Sequence, residues 1–292
     1  LLSMPFLRAP IVRGRLDSVD VTALSLLDKE GAFDVLSSER SYVLLITEGQ
    51  AAGAWFVLDS AAKTNETIHI FDDGLAGSLI DLSGTEAFSI HELFTLKQVF
   101  PDVGGVCPSG VSASTSTKVQ FYDGESTQDF WLSNGSVTDH VGWTYLSEGK
   151  LVYGGDTAIL PGTSFLIECP ERLEPIDLRV QGIALNTPIN IPVYPGLNFL
   201  AVNFTSTLTV RGVHGFDLDE IGLLESGFSQ SLDDQFYTYN SRDGSFVSVY
   251  WDSNTKALLD SVTNEAVSTG VAPGGGFVLY NSGASYLWSY GQ

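Results

Sequence analysis

The chain has 292 residues with 30 Gly, 11% aromatic and 17% charged residues, which is length enough for two or three separate cores and a composition suited to short strands joined by tight turns. Fourteen Lys and Arg against 35 Asp and Glu give a formal net charge of −21, so phosphate backbones and anionic lipid surfaces are repelled and nucleic acid is excluded as a partner. No apolar run of 18 residues occurs, and no membrane span is expected.

Taken in chain order, Leu2-Ser3-Met4-Pro5-Phe6 reads as a first strand. Residues 11–90 follow as six short strands, at 12–19, 23–27, 42–48, 54–60, 67–71 and 87–91, separated by Gly, Asp, Ser and Asn. The stretches 53–58 and 66–71 pair around a Lys63-Thr64-Asn65 turn, and the segment as a whole reads as a small β-barrel. A helical turn is expected over 91–100, then a Ser/Gly-rich loop, hairpin strands at 119–123, 129–132 and 142–145, and a strand at 159–167. Linker strands occupy 171–189. Further strands are expected at 189–193 and 195–200, hairpin strands at 235–240 and 247–252, a strand at 271–279 and an aromatic tail, Tyr286-Leu287-Trp288-Ser289-Tyr290.

The chain repeats itself. Leu2 to Phe6 matches Leu200 to Phe204 at an offset of 198, and Ile159 to Ile167 matches Val271 to Leu279 at an offset of 112, so the first copy is longer by 86 residues. One insertion, the barrel at 11–90, explains most of that excess. The expected architecture is all-β: two similar β-sandwich-like modules, residues 1–10 with 91–170 and residues 190–292, with the barrel inserted in the first. The pair Phe130-Trp131 aligns with Tyr250-Trp251. The strand at 189–193 has no counterpart in the first copy, which predicts that the matching strand either lies upstream of Leu1 or is supplied by another element of the assembly.

Chemistry is thin. The four histidines, His69, His91, His140 and His214, fall in no zinc spacing, and Gly110-Val111-Ser112-Ala113-Ser114 lacks the second Gly of a nucleophile elbow. Calcium is the one cofactor candidate, at Asp72 and Asp73 and at Asp217 and Asp219, where hard oxygen ligands cluster beside turns. The only cysteines, Cys107 and Cys169, each precede Pro in loop-like sequence, and a disulfide between them would stabilise the fold by about 4 kcal/mol through loop closure. The chain opens on Leu1-Leu2 with no initiator Met, which predicts a processed, exported protein.

Four stretches, Leu2-Ser3-Met4-Pro5-Phe6-Leu7-Arg8, Phe94-Thr95-Leu96-Lys97-Gln98-Val99-Phe100, Phe121-Tyr122-Asp123 and Ile159-Leu160-Pro161-Gly162-Thr163-Ser164-Phe165, resemble an uncharacterised family of exported β-rich proteins found as paralogues in Verrucomicrobia. The resemblance implies an extracellular or cell-surface location after signal-peptide removal and carries no catalytic residue. This chain departs from it in its acidity and its aromatic tail.

The expected function is therefore a noncatalytic structural subunit of a filament or surface layer, a homo-oligomer or polymer joined by β-edges. Its contact segments are the N-terminal strand (Leu2, Met4, Phe6) and the tail (Tyr286, Trp288, Tyr290), because the first lacks a strand partner and alternation puts the three tail aromatics on one exposed face. The alternative is a secreted carbohydrate-binding protein that stacks polysaccharide on Trp131, Trp143 and Trp251.

Overall fold

The computed structural model describes residues 2–3, 7–71, 82–122, 126–136, 140–170, 181–183, 189–201, 208–209, 235–240, 245–252, 255, 257–267, 270–271 and 275–290. Its strands run β1 (Leu2–Ser3), β2 (Pro10–Arg15), β3 (Ser18–Asp20), β4 (Ser25–Leu27), β5 (Tyr42–Ile46), β6 (Trp55–Lys63), β7 (Thr67–Ile70), β8 (Ala87–Glu92) and β9 (Phe94–Thr95). A single helical turn, α1 (Leu96–Val99), precedes β10 (Lys118–Tyr122), β11 (Thr127–Asn134), β12 (Val141–Ser147), β13 (Lys150–Tyr153), β14 (Ala158–Ile159) and β15 (Ser164–Glu168). The remainder is β16 (Ile189–Val193), β17 (Gly196–Ala201), β18 (Leu208–Thr209), β19 (Gln235–Asn240), β20 (Ser245–Asp252), β21 (Ala257–Asp260), β22 (Gly270–Val271), β23 (Gly276–Asn281) and β24 (Tyr286–Tyr290). The chain is all-β, as its composition suits, and the ladders of its three largest sheets are antiparallel. It divides into two compact units.

One unit holds residues 6–94, 181–192 and 287–292. Its seven-stranded sheet has the order β2-β8-β5-β6-β7-β4-β3. The two ends of that order are neighbours in sequence. Leu16 N–H donates to the Glu86 carbonyl at 2.9 Å and continues the β2–β8 ladder, while Asp17 N–H donates to the Leu27 carbonyl at 2.8 Å and continues β3–β4. One bent strand thus serves both ends, and the sheet curls around a core of Leu26, Phe33, Leu44, Ile46, Phe56, Ile68 and Phe88. The expected barrel is corrected in this respect: among the described residues no ladder joins β2 to β3, so the chain's own continuity, rather than hydrogen bonding, links the ends. The hairpin expected around residues 63–65 is present, with a register shift between Asp59 and Lys63 that lets the strands twist.

The other unit holds residues 1–5, 95–180 and 193–286, and its two larger sheets have six and five strands. Their orders are β1-β15-β10-β11-β12-β13 and β17-β23-β19-β20-β21, which agree position by position through five strands. Register agrees as well. Leu2 faces Phe165 as Leu200 faces Phe277, and Val119 lies opposite Phe130 and Ile167 as Phe236 lies opposite Val249 and Leu279. The ladders correct the aromatic alignment by one residue: Phe130 corresponds to Val249, both buried, and Trp131 corresponds to Tyr250. The sheets meet where Ala201 N–H donates to the Gly162 carbonyl at 2.8 Å and the Tyr122 and Phe199 rings pack at 5.3 Å. A Cβ on Gly276 would overlap the Ser164 side chain, and these two residues occupy corresponding positions in their sheets.

Three further expectations are corrected. The N-terminal strand has its partner, because β1 pairs with β15 at the edge of the first sheet. The strand at 189–193 does not extend the second module: β16 pairs with the tail strand β24, and Trp288 in that tail is buried, 3% exposed. Nor is there a Cys107–Cys169 disulfide; Cys107 is buried and Cys169 exposed. Thr117 anchors both segments instead, its N–H donating to the Pro108 carbonyl at 2.9 Å and its Oγ1 lying 4.0 Å from Cys169 Sγ.

Candidate functional site

The calcium candidates Asp72, Asp73, Asp217 and Asp219 lie outside the described residues, as do Met4 and Phe6 and the side chains of Leu2, Trp251, Tyr286 and Tyr290. Among the described residues no three His, Cys, Asp or Glu side chains gather to hold a metal. Trp143 is withdrawn from the sugar-binding candidates. Its side chain is fully buried, packs against Phe100 and donates from Nε1 to the Phe100 carbonyl at 2.7 Å, so no sugar reaches its ring.

One arrangement has the outline of a hydrolytic dyad. Ser89 Oγ lies 2.8 Å from His91 Nε2, and His91 Nδ1 lies 2.7 Å from the Arg8 carbonyl. Because a carbonyl only accepts, Nδ1 carries the proton and Nε2 accepts from Ser89. Burial, with the charge of Arg13 nearby, outweighs the Arg8 carbonyl and lowers the His91 pKa, so the ring is neutral. Both side chains are buried, and the neighbouring Glu92 is engaged by Arg8 at 2.5 Å and Arg40 at 2.6 Å. With Ser89, His91 and Glu92 buried and engaged by these bonds, the group holds residues 8, 40 and 89–92 together.

The outward sheet faces of the other unit are different in kind. Directly opposed residues of a ladder share a face, which defines one row across the first sheet: Glu168, Lys118, Trp131, Thr144 and Tyr153. Trp131 and Tyr153 are half-buried, Thr144 is buried between them, and Lys118 pairs with Glu168 at 2.6 Å. Tyr153 is fixed by its hydroxyl, which donates to Asp102 at 2.6 Å, and the Lys97 ammonium stands 5.9 Å from its ring centroid. The corresponding row of the second sheet is Tyr280, Gln235, Tyr250 and Leu259. Tyr250 donates to Asn264 at 2.9 Å, and a hydroxyl-rich group surrounds Gln235, whose Oε1 accepts from Tyr237 and Ser248.

The first sheet also presents an open edge. Among the described residues β13 pairs only with β12, through a two-residue turn at Glu148 and Gly149, both at positive φ. Leu146 and Leu151 face each other across that hairpin and are 56% and 39% exposed. In the second sheet residues 265–267 take the place of β13 beside β21, with Val267 N–H donating to the Leu258 carbonyl at 2.9 Å and Asp260 N–H to the Glu265 carbonyl at 3.0 Å.

Comparison with protein-family models finds no match, comparison with curated proteins finds none, and comparison with solved structures finds none. The geometry of the faces and of the β13 edge is what bears on function.

Proposed function

We propose that this chain is a noncatalytic building block of an extracellular or cell-surface assembly, a filament or surface layer, whose copies join edge to edge. The observation that carries the reading is the β13 edge with its exposed leucine pair, which among the described residues has no second strand beside it: strand N–H and C=O groups left open next to apolar side chains are a template for another strand. The matching order and register of the two sheets support a duplicated module, a common way to build an extended subunit. Export is supported by the resemblance to the Verrucomicrobia paralogues. The contact segment differs from the termini that the sequence suggests, since β1 and β24 are both paired within the chain.

Analytical ultracentrifugation tests the reading. The full chain is expected to sediment as concentration-dependent oligomers, and Leu146→Lys with Leu151→Lys to hold it as a folded monomer, because association would bury unpaired charges at the contact. A wild-type chain that remains monomeric at high concentration overturns the proposal.

A further inference from the structure

We infer that the outward faces of the two sheets bind a neutral, extended pyranose polysaccharide by stacking sugar rings on their aromatic rows. Trp131 and Tyr250 occupy the same register position in the two sheets, so the ring is presented twice by the same construction. Each row holds a second ring two strands away, Tyr153 in the first sheet and Tyr280 in the second, and two strand spacings amount to about 9.5 Å. That separation is close to the distance between alternate sugars in an extended glycan chain. Between and around the rings stand groups that hydrogen-bond hydroxyls, Gln235, Tyr237 and Ser248 in the second sheet and Gln120 with Asp129 in the first.

Charge decides the class of polymer. The second row contains no ionisable group but its tyrosines, and in the first the lysine is neutralised by Glu168. At a net charge of −21 the chain repels polyanions, and rows without net charge of their own offer a charged sugar no partner, which points to a neutral polymer. A protein partner requires contiguous apolar area, whereas in the second row Tyr250 and Tyr280 are separated by the polar Gln235. The rings are also held in place before any ligand arrives, Tyr153 by Asp102 and Tyr250 by Asn264, so stacking costs little ordering.

The test is native affinity electrophoresis of the full chain in gels containing hydroxyethyl cellulose, mixed-linkage β-glucan, xylan or anionic alginate. Protein is loaded at a concentration where sedimentation shows a monomer, so that sugar binding and self-association fail separately. At least one neutral polymer is expected to retard the protein, Trp131→Ala and Tyr250→Ala each to weaken that binding roughly tenfold, and the double variant to abolish it. Trp131→Phe keeps a ring, guards against a folding defect, and is expected to bind within a few-fold of wild type. Retardation by none of the neutral polymers, by alginate alone, or equally in wild type and the double variant overturns the inference.

Discussion

Asp102 shows how one side chain can set the backbone around it. Its Oδ1 accepts the Trp143 N–H at 3.0 Å and its Oδ2 accepts the Tyr153 hydroxyl at 2.6 Å, which ties β12 and β13 to the segment after α1. Burial, reinforced by the bond to Asp102, raises the Tyr153 pKa and keeps its hydroxyl a donor. The carboxylate sits where a side chain at position 142 would be: Gly142 has φ +115°, and a Cβ there would stand 2.6 Å from Oδ1. Gly142→Ala is therefore expected to cost about 3 kcal/mol, from backbone strain and overlap together, read as a lower urea midpoint at unchanged slope. A midpoint within error of wild type would show that the loop yields freely. His91 supplies a second expectation at this scale. Its pKa is lowered in the fold, so the unfolded chain takes up a proton as pH falls below the ordinary value near 6.5 while the folded chain does not. Stability is full above that value and declines below it, and His91→Gln should flatten this part of the pH–stability curve relative to wild type.

At the scale of elements, alternation and turn residues made most strands legible. Tyr42 to Ile46 is apolar at every position because β5 lies between β6 and β8 in the curled sheet and is buried on both faces. The Lys63-Thr64-Asn65 turn announces the β6–β7 hairpin, and the Leu2/Leu200 and Phe165/Phe277 matches coincide with ladder positions. The aromatic pairing slipped by one because large rings were matched to large rings. Register is fixed by which face is buried, and small Val249 fills the core position of Phe130. The partners of β1 and β24 were illegible for another reason: local sequence states that a segment is extended but not which distant edge completes its ladder. The same limit hid the β13 edge, which among the described residues is paired on one side alone. The outward position of Trp131 was legible by alternation with Phe130, whereas the burial of Trp143 was not, because it depends on Phe100 arriving from before the hairpin.

At the scale of the whole molecule, net charge opposes association. Two copies at −21 repel over roughly one Debye length, about 10 Å at 0.1 M salt and 3 Å at 1 M, and any contact between them has to form where acidic residues are sparse. The β12–β13 hairpin meets that condition, since residues 141–155 contain one Glu and one Lys and no other charged side chain. Because the proposed contact is neutral and apolar, salt weakens the repulsion between the bodies without weakening the contact itself. The concentration at which oligomers appear by light scattering should accordingly fall as NaCl rises from about 0.05 to 0.5 M. An edge held by ion pairs would behave in the opposite way, its onset rising with salt. A rising onset, or one insensitive to salt in the wild type, would therefore place the contact away from the hairpin, and the Leu146→Lys, Leu151→Lys variant run in parallel shows whether the salt-promoted species forms through that edge.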